Sequence, residues 1–265
     1  MDQNDVARAA AALAAARPPS AAIEALPTGS MPGNLAEAYV IQEAFVGEFL
    51  KQSGGRRIGY KAGATAPAPQ QLLKLDGPFY GVLLSELWHQ SGVVIPASDC
   101  HQRILEIEFA FRMAEDLPPA AAPYDPDGVR AAVGSALLAI EVVDFRLTGG
   151  FQSGGLAVIA DNGAHGHWIT GREFADLDAL DWEDFDVSLK VNDKEVASGN
   201  SGNVMDSPFN SLTWLANTLC LSGSGLKAGD LVTAGSCIAP YAGAAGDHVL
   251  ADFGDLGVVE VTFGT

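Results

Sequence analysis

Residues 103–111 read RILEIEFAF. With a period of two, Leu105, Ile107, Phe109 and Phe111 fall on one face. Ile104, Glu106, Glu108 and Ala110 fall on the other. A strand sets residues i and i+2 side by side, roughly 7 Å apart, so the two glutamates point the same way. A half-buried strand with a wet outer face accounts for this stretch taken alone, and the rest of the chain has to say whether the pair does more.

A second unusual carboxylate stands in SALLAIEVVDF. From Ala136 to Val143, Glu141 is the only polar residue. A lone buried carboxylate is costly, and it pairs with a cation, takes up a proton or binds a metal. A buried ion pair with Arg or Lys is one reading of Glu141. Convergence with Glu106 and Glu108 is the other, and three such acids repel one another unless a cation sits between them. Ligation by carboxylate oxygens suits Mg2+ or Mn2+ and leaves positions for water or a chelating substrate. Lys61, in RRIGYKAGATAP, lies between Gly59 and Gly63, where backbone can come close to a ligand. It reads either as an exposed strand lysine or as a cation that balances the acids or holds an anion.

Other chemistries are poorly supported. His165-Gly166-His167 has ligand spacing for zinc but no Cys or Glu spaced to complete the site. Cys237 has no base beside it in the sequence to make it a nucleophile. Neither GYKAGAT nor GSGLKAG fits a phosphate or dinucleotide loop. The tryptophans at 88, 168, 182 and 214 are scattered and read as core or interface residues.

The chain has 265 residues, 15 basic against 33 acidic, and a formal charge of −18. Such a surface repels nucleic acid and anionic lipid, so neither is an expected partner. An anionic substrate needs strong local positive charge to overcome the same field. No apolar run approaches the length of a membrane span. The opening MDQNDVARAAAALAAARPPS reads as an Ala-rich helix and not a basic leader. Three cysteines without paired spacing fit a reducing, cytoplasmic setting.

Residues 1–55 read as a helical segment. One helix is expected over about Asp5–Arg17, ending at Pro18-Pro19, and another over Leu35–Gln52 behind an Asn34 cap. Residues 56–265 then change to short β-like runs punctuated by glycine: RIGYKAGAT, GVVIPA, ILEIEFAFRM, SALLAIEVVDF, DVSLKVN, DLVTAGSCI, DHVLADF and GVVEVTF. One helix, about Ser211–Leu221, interrupts them. Helices first and then many strands argue for an α+β fold, not a doubly wound sheet.

These positions together resemble the 2-keto-4-pentenoate hydratase family, which includes the 4-oxalocrotonate decarboxylases, within the fumarylacetoacetate-hydrolase superfamily. EAYVIQEAF resembles its N-terminal helix, and GYKAGAT its G-x-K-x-G-x-T. ILEIEFAF resembles its E-x-E strand, AIEVVDFR its later acidic strand and IADNGAHG its A-D-N segment. WLANTLCLSGSGLKAGDLVTAGS resembles its C-terminal helix, turn and strand. The resemblance implies a mixed β-roll core with an N-terminal helical segment, residues 56–265 acting as one functional unit with residues 1–55, and assembly into homo-oligomers. It implies a divalent metal, Mg2+ or Mn2+, on Glu106, Glu108 and Glu141, with Lys61 near the substrate. It places Thr65, Phe79, Leu84, Asn162 and Ser236 in the substrate pocket.

One departure bears on the reaction. Many of the family's hydratases carry P-D-F-G or P-D-Y-G after the lysine, whereas this chain reads DGPFYG, with Phe79 at the acidic position. The decarboxylase branch commonly has an apolar residue there, followed by Tyr-Gly. Asp76, Tyr80 or Asp161 are the expected replacements for the missing proton carrier. The expected activity is that of a metal-dependent lyase on a small anionic 2-oxo acid or its dienol, of hydratase type, with decarboxylation as the alternative. Cleavage of an acylpyruvate C–C bond would need a water-activating His or Glu dyad that the sequence does not show. A non-catalytic protein that binds metal or 2-oxo acid is the reading from another class.

Overall fold

The computed structural model describes residues 1–178 and 180–265. In chain order its elements are α1 (Gln3–Ala15), α2 (Leu35–Ser53), β1 (Arg57–Gly63), α3 (Pro67–Leu73), β2 (Phe79–Leu84), β3 (Trp88–Gln90), β4 (Val93–Ile95), β5 (Ile104–Met113), α4 (Pro126–Ala131), β6 (Val133–Val143), α5 (Gly155–Ala160), β7 (His165–Phe174), β8 (Asp186–Val191), β9 (Lys194–Asn200), α6 (Pro208–Leu221), β10 (Leu231–Ser236), β11 (Tyr241–Ala242), β12 (His248–Asp252) and β13 (Val258–Phe263). They form two sheets. The larger runs β2-β1-β10-β5-β6-β7-β3, with β11 added to β5, and the smaller runs β4-β13-β12-β8-β9. The α+β expectation holds, and each of the eight expected strands is present.

The sequence period of β5 is what joins the two sheets. Leu105, Ile107, Phe109 and Phe111 are wholly buried in the main core, with Leu189, Val249 and Val261 of the smaller sheet and Leu212 and Leu215 of α6. The opposite face of β5 carries Glu106, Glu108 and Ala110. It is closed on one side by Leu83, Ala139 and Trp168, so it is not the wet face of a half-buried strand. The parallel pairing of β1 with β10 depends on Gly59. Its φ is +150°, and a Cβ there would lie 1.7 Å from the Leu231 carbonyl oxygen, so no other residue fits.

Helix boundaries differ from expectation by a few residues. α1 starts earlier because the Asp2 side chain accepts from the Asp5 N–H, and it ends at Ala15. The Asn34 cap of α2 is present, accepting from the Glu37 N–H at 3.0 Å. α6 begins at Pro208, which suits a first-turn position because its missing N–H would have no partner there. Three short helices, α3, α4 and α5, had no periodic signature. α5, GLAVIA, is almost wholly buried and apolar all round, so it has no polar face to register. The N-terminal helices share a core with the body. Leu13, Ile41 and Phe45 pack with Leu147 and Ala160, and the buried Gln42 amide donates to the carbonyls of Tyr80 (2.9 Å) and Ile159 (3.0 Å).

Candidate active site

Register brings the acids together. β5 and β6 are antiparallel with Glu106 directly opposite Glu141, and opposed residues on one face have Cβ atoms about 4.5–5.5 Å apart. Glu108 follows on the same face of β5. One carboxylate oxygen from each of the three lies within 4.8 Å of the others. Glu108 and Glu141 are fully buried, and Glu106 is partly exposed, which marks the side open to solvent.

Lys61 reaches this cluster from β1. Its ammonium nitrogen, 2% exposed as a residue, lies 2.7 Å from Glu141 Oε1 and donates to the Gly163 carbonyl at 2.9 Å. Burial opposes its charge, but Glu141, Glu106 and Glu108 outweigh burial and hold its pKa above the ordinary lysine value. Burial also works against the charge of Glu141, and there Lys61 and His165 prevail, keeping the pKa below the usual carboxylate range. Glu106 and Glu108 lack such a partner. Burial and the charge of Glu141 raise Glu106 to about 7 and push Glu108 well up. The Thr233 hydroxyl donates to Glu108 Oε2. Glu108 Oε1 and Glu141 Oε2 are buried without a hydrogen-bond partner among the described residues, a costly arrangement for carboxylate oxygens unless a cation takes them up. The set is all oxygen, three carboxylates with two orphaned atoms, and it fits a hard divalent cation such as Mg2+ or Mn2+.

His165 completes the cluster. Its Nδ1 is 3.2 Å from Glu141 Oε1, and burial lowers its pKa to about 4. It is therefore neutral near pH 7, and a neutral ring facing a carboxylate carries its proton on Nδ1. From the sequence this histidine stands out only as half of a zinc-like His-Gly-His spacing. Thr233 was also missed, although an isolated hydroxyl inside the apolar run LVTAG is the same signal that marked Glu141.

The pocket residues divide by strand alternation. On β2, Gly81 lies opposite Lys61 and Phe79 opposite Gly63, while Tyr80 lies opposite Ala62. Phe79, 4% exposed, is therefore on the lysine side, and a Cβ built on Gly63 would come within 2.4 Å of its ring. Tyr80 and Leu84 take the other face. Tyr80 stacks on Tyr39 at 4.3 Å between ring centroids, and Leu84 packs with Val46, Val82 and Leu87 under α2. Neither reaches the acids, because residues one apart on a strand cannot share a side. Asp76 is exposed in the turn before β2.

Asp161 is bound to another task. Its Oδ1 accepts from Arg146 Nε at 2.5 Å and its Oδ2 from the Arg146 N–H at 3.0 Å, while its carbonyl takes Arg146 Nη2 at 2.6 Å. Both residues are buried, and an acid so fully paired has no free proton to carry. Asn162 uses its whole side chain on the backbone of β2. Val82 N–H donates to Oδ1 at 2.7 Å, and Nδ2 donates to the Val82 carbonyl at 2.9 Å. Asn162, Gly163 and Ala164 follow one another in the left-handed region, with φ of 53°, 61° and 55°, a conformation costing an alanine roughly 1–2 kcal/mol. Ser236 lies opposite Glu108. Thr65 packs its hydroxyl against Gly235. Tyr80, Leu84, Asp76 and Asp161 are thus the expected site residues that the fold does not bring to the acids.

Known proteins are similar to this chain to different degrees. Over 262 residues the chain is 29% identical to 2-keto-4-pentenoate hydratase of Burkholderia vietnamiensis, spanning 99% of this chain and 98% of the relative. It is 28% identical over 228 residues to 4-oxalocrotonate decarboxylase of Pseudomonas putida, 86% of this chain and 85% of that one. The solved structure of 4-oxalocrotonate decarboxylase from Pseudomonas putida, complexed with magnesium and adipate, has a TM-score of 0.91 and 26% identity. It covers 99% of this chain and 98% of its own. The pattern described as fumarylacetoacetate (FAA) hydrolase C-terminal matches residues 60–264, a span that takes in Lys61 and all three acids. This chain belongs to the fumarylacetoacetate hydrolase family.

Proposed function

We propose that the protein is a Mg2+- or Mn2+-dependent lyase acting on a small unsaturated 2-oxo acid or its dienol, of the hydro-lyase type. The observation that carries this reading is the cluster of three carboxylates with two orphaned oxygens beside a buried, charged lysine. Relatives matching nearly end to end bear the hydratase name, and a solved neighbour with this fold is complexed with magnesium. Glu106, Glu108 and Glu141 would hold the cation, and Phe79 on the lysine side, Ser236 opposite Glu108 and Thr65 beside Gly235 would border the substrate. Residues 1–55 and 56–265 belong to one functional unit in this reading, which includes a homo-oligomeric, cytoplasmic enzyme.

A bound divalent ion supplies a Lewis acid for the carboxylate and adjacent oxo oxygen of a 2-oxo acid. The chain's own residues do the rest. Lys61 has three N–H groups. Two are taken by Glu141 and Gly163, so the third is free for the oxygen on which negative charge develops. That fixed cation is also how an anion can approach a chain of net charge −18. His165 and Thr233 hold two of the acids by hydrogen bonds. Phe79 makes one wall apolar. For hydration, the dienol would take up a proton at C5 and lose its hydroxyl proton to give the 2-oxo-3-enoate. Water would then add across C3–C4, its oxygen to C4 and its proton to C3, on the side the partly exposed Glu106 leaves open.

Decarboxylation of a 4-oxalocrotonate-like acid is the second reading, and Phe79 favours it. An apolar wall suits a departing CO2, and none of the expected acidic replacements faces the cluster. Freshly made 2-hydroxypenta-2,4-dienoate and, separately, 4-oxalocrotonate, each with Mg2+, decide between the readings. Loss of dienol absorbance is expected with the first. CO2 release from the second, with the first untouched, would replace hydration by decarboxylation, and turnover of neither would sink both.

The raised Glu106 carboxyl has a consequence for metal binding. A proton and Mg2+ compete for it, so apparent affinity is expected to fall as pH drops through about 7. The Glu106 proton alone makes affinity at pH 6 about tenfold weaker than at pH 8, and the raised Glu108 carboxyl adds to the fall. Calorimetric titrations in buffers of different ionisation heat should show proton release near pH 7. Affinity independent of pH would take Glu106 out of the ligand set.

A further inference from the structure

We infer that Asn162 is a positioning residue for Lys61, acting as a one-residue substitute for a missing neighbour strand at the edge of the larger sheet. The inference rests on the proposed role of Lys61 in turnover. Among the described residues β2 is the last strand of that sheet, so on its free side its backbone has no strand there to pair with. The Asn162 amide meets the free N–H and C=O of Val82 together, the two-way exchange that a flanking strand would make. This fixes the residue next to Gly81, which lies opposite Lys61. A Cβ on Gly81 would come within 2.8 Å of the Asn162 carbonyl oxygen and 3.0 Å of Lys61 Cγ. The lysine stem is therefore enclosed between β2 and the 162–163 backbone.

The following residue supplies the other half of the device. Gly163, in the left-handed conformation, turns its carbonyl onto the ammonium at 2.9 Å. Two ties hold the segment from behind: Arg146 on Asp161 and the Gln42 amide shared between Tyr80 and Ile159. Asn162 touches β2, not the acids, so its effect on chemistry passes through the place of the Lys61 nitrogen. Misplacing a reacting group by about 1 Å can cost 10²-fold in rate.

The fold contains a matched control. Asn217 of α6 clamps the Tyr124 backbone by the same pair of bonds, at 2.8 and 2.9 Å. Asn162→Gly removes one clamp while permitting the left-handed backbone, and Asn217→Ala removes the other. Both variants are expected to lower Tm. Asn162→Gly alone should shift the 15N signal of the Lys61 ammonium, assigned by its loss in Lys61→Met, and lower kcat at least tenfold with KM and Mg2+ affinity within about threefold. An unmoved Lys61 signal, an unchanged kcat, or an equal fall in Asn217→Ala would overturn the inference. Normal turnover in Lys61→Met would instead remove the functional reading beneath it, which the NMR comparison reports separately.

Discussion

Lys61→Met is expected to lower kcat by about 10²–10³-fold while KM changes little, the loss typical of removing one donor aimed at developing negative charge. Methionine fills a similar volume but brings no charge and no N–H. The charge on the substrate's oxo oxygen grows mainly in the transition state, so ground-state binding suffers less than the rate. The substitution also leaves Glu141 without its cation at 2.7 Å, and breaking a buried pair typically costs about 3–5 kcal/mol. Metal-free protein should therefore melt earlier, and added Mg2+ should recover part of the difference through mass action. Steady-state kinetics at saturating Mg2+ check the first effect, and calorimetric scans with and without Mg2+ check the second. Near-normal kcat would return Lys61 to the role of a charge partner for Glu141.

Glu141→Gln is expected to weaken Mg2+ binding by at least about a hundredfold, since changing even a group behind the ligands costs 10–100-fold. The amide keeps the shape but loses the charge. Its oxygen accepts from His165 and Lys61 less strongly than a carboxylate oxygen does, and its NH2, in the place of Oε2, would face the cation position. The two remaining acids, Glu106 and Glu108, already titrate high because burial and Glu141 disfavour their charge. Removing Glu141 relieves part of that repulsion, so their affinity for protons should fall while the site loses one of three anionic ligands. Titration calorimetry of the folded variant gives the answer directly. Mg2+ affinity equal to that of the parent would exclude Glu141 from the metal set.

Much of this was present in the residues themselves. Alternation in RILEIEFAF put Leu105 to Phe111 in the core and the glutamates on the opposite face, because a strand's side-chain period is a local property of the backbone. The isolation of Glu141 in an apolar run marked it for the same reason: a carboxylate with no polar neighbours has to find its partner in space. The order of helices and strands, with the six motifs, placed the chain in its family. Register was a different matter. That Glu141 lies opposite Glu106, and that Thr233 reaches Glu108, follows from pairings between strands dozens of residues apart, which no local pattern encodes.

The side-chain assignments that changed did so through tertiary contacts. Tyr80 and Leu84 sit on the wrong side of β2 because the pairing Lys61 to Gly81 sets which parity faces the acids. Asp161 looked like a free acid until Arg146, fifteen residues earlier and silent in the sequence, bonded both of its carboxylate oxygens. Asn162 looked like a ligand for substrate, but it pairs with an edge strand whose exposed backbone exists only once the sheet has formed. Sequence determined which residues carry charge into an apolar fold, since burial of a carboxylate is costly wherever it occurs. Tertiary structure alone decided which of those charges meet, because ion pairs and hydrogen bonds act over about 3 Å and only the folded backbone sets distances that short.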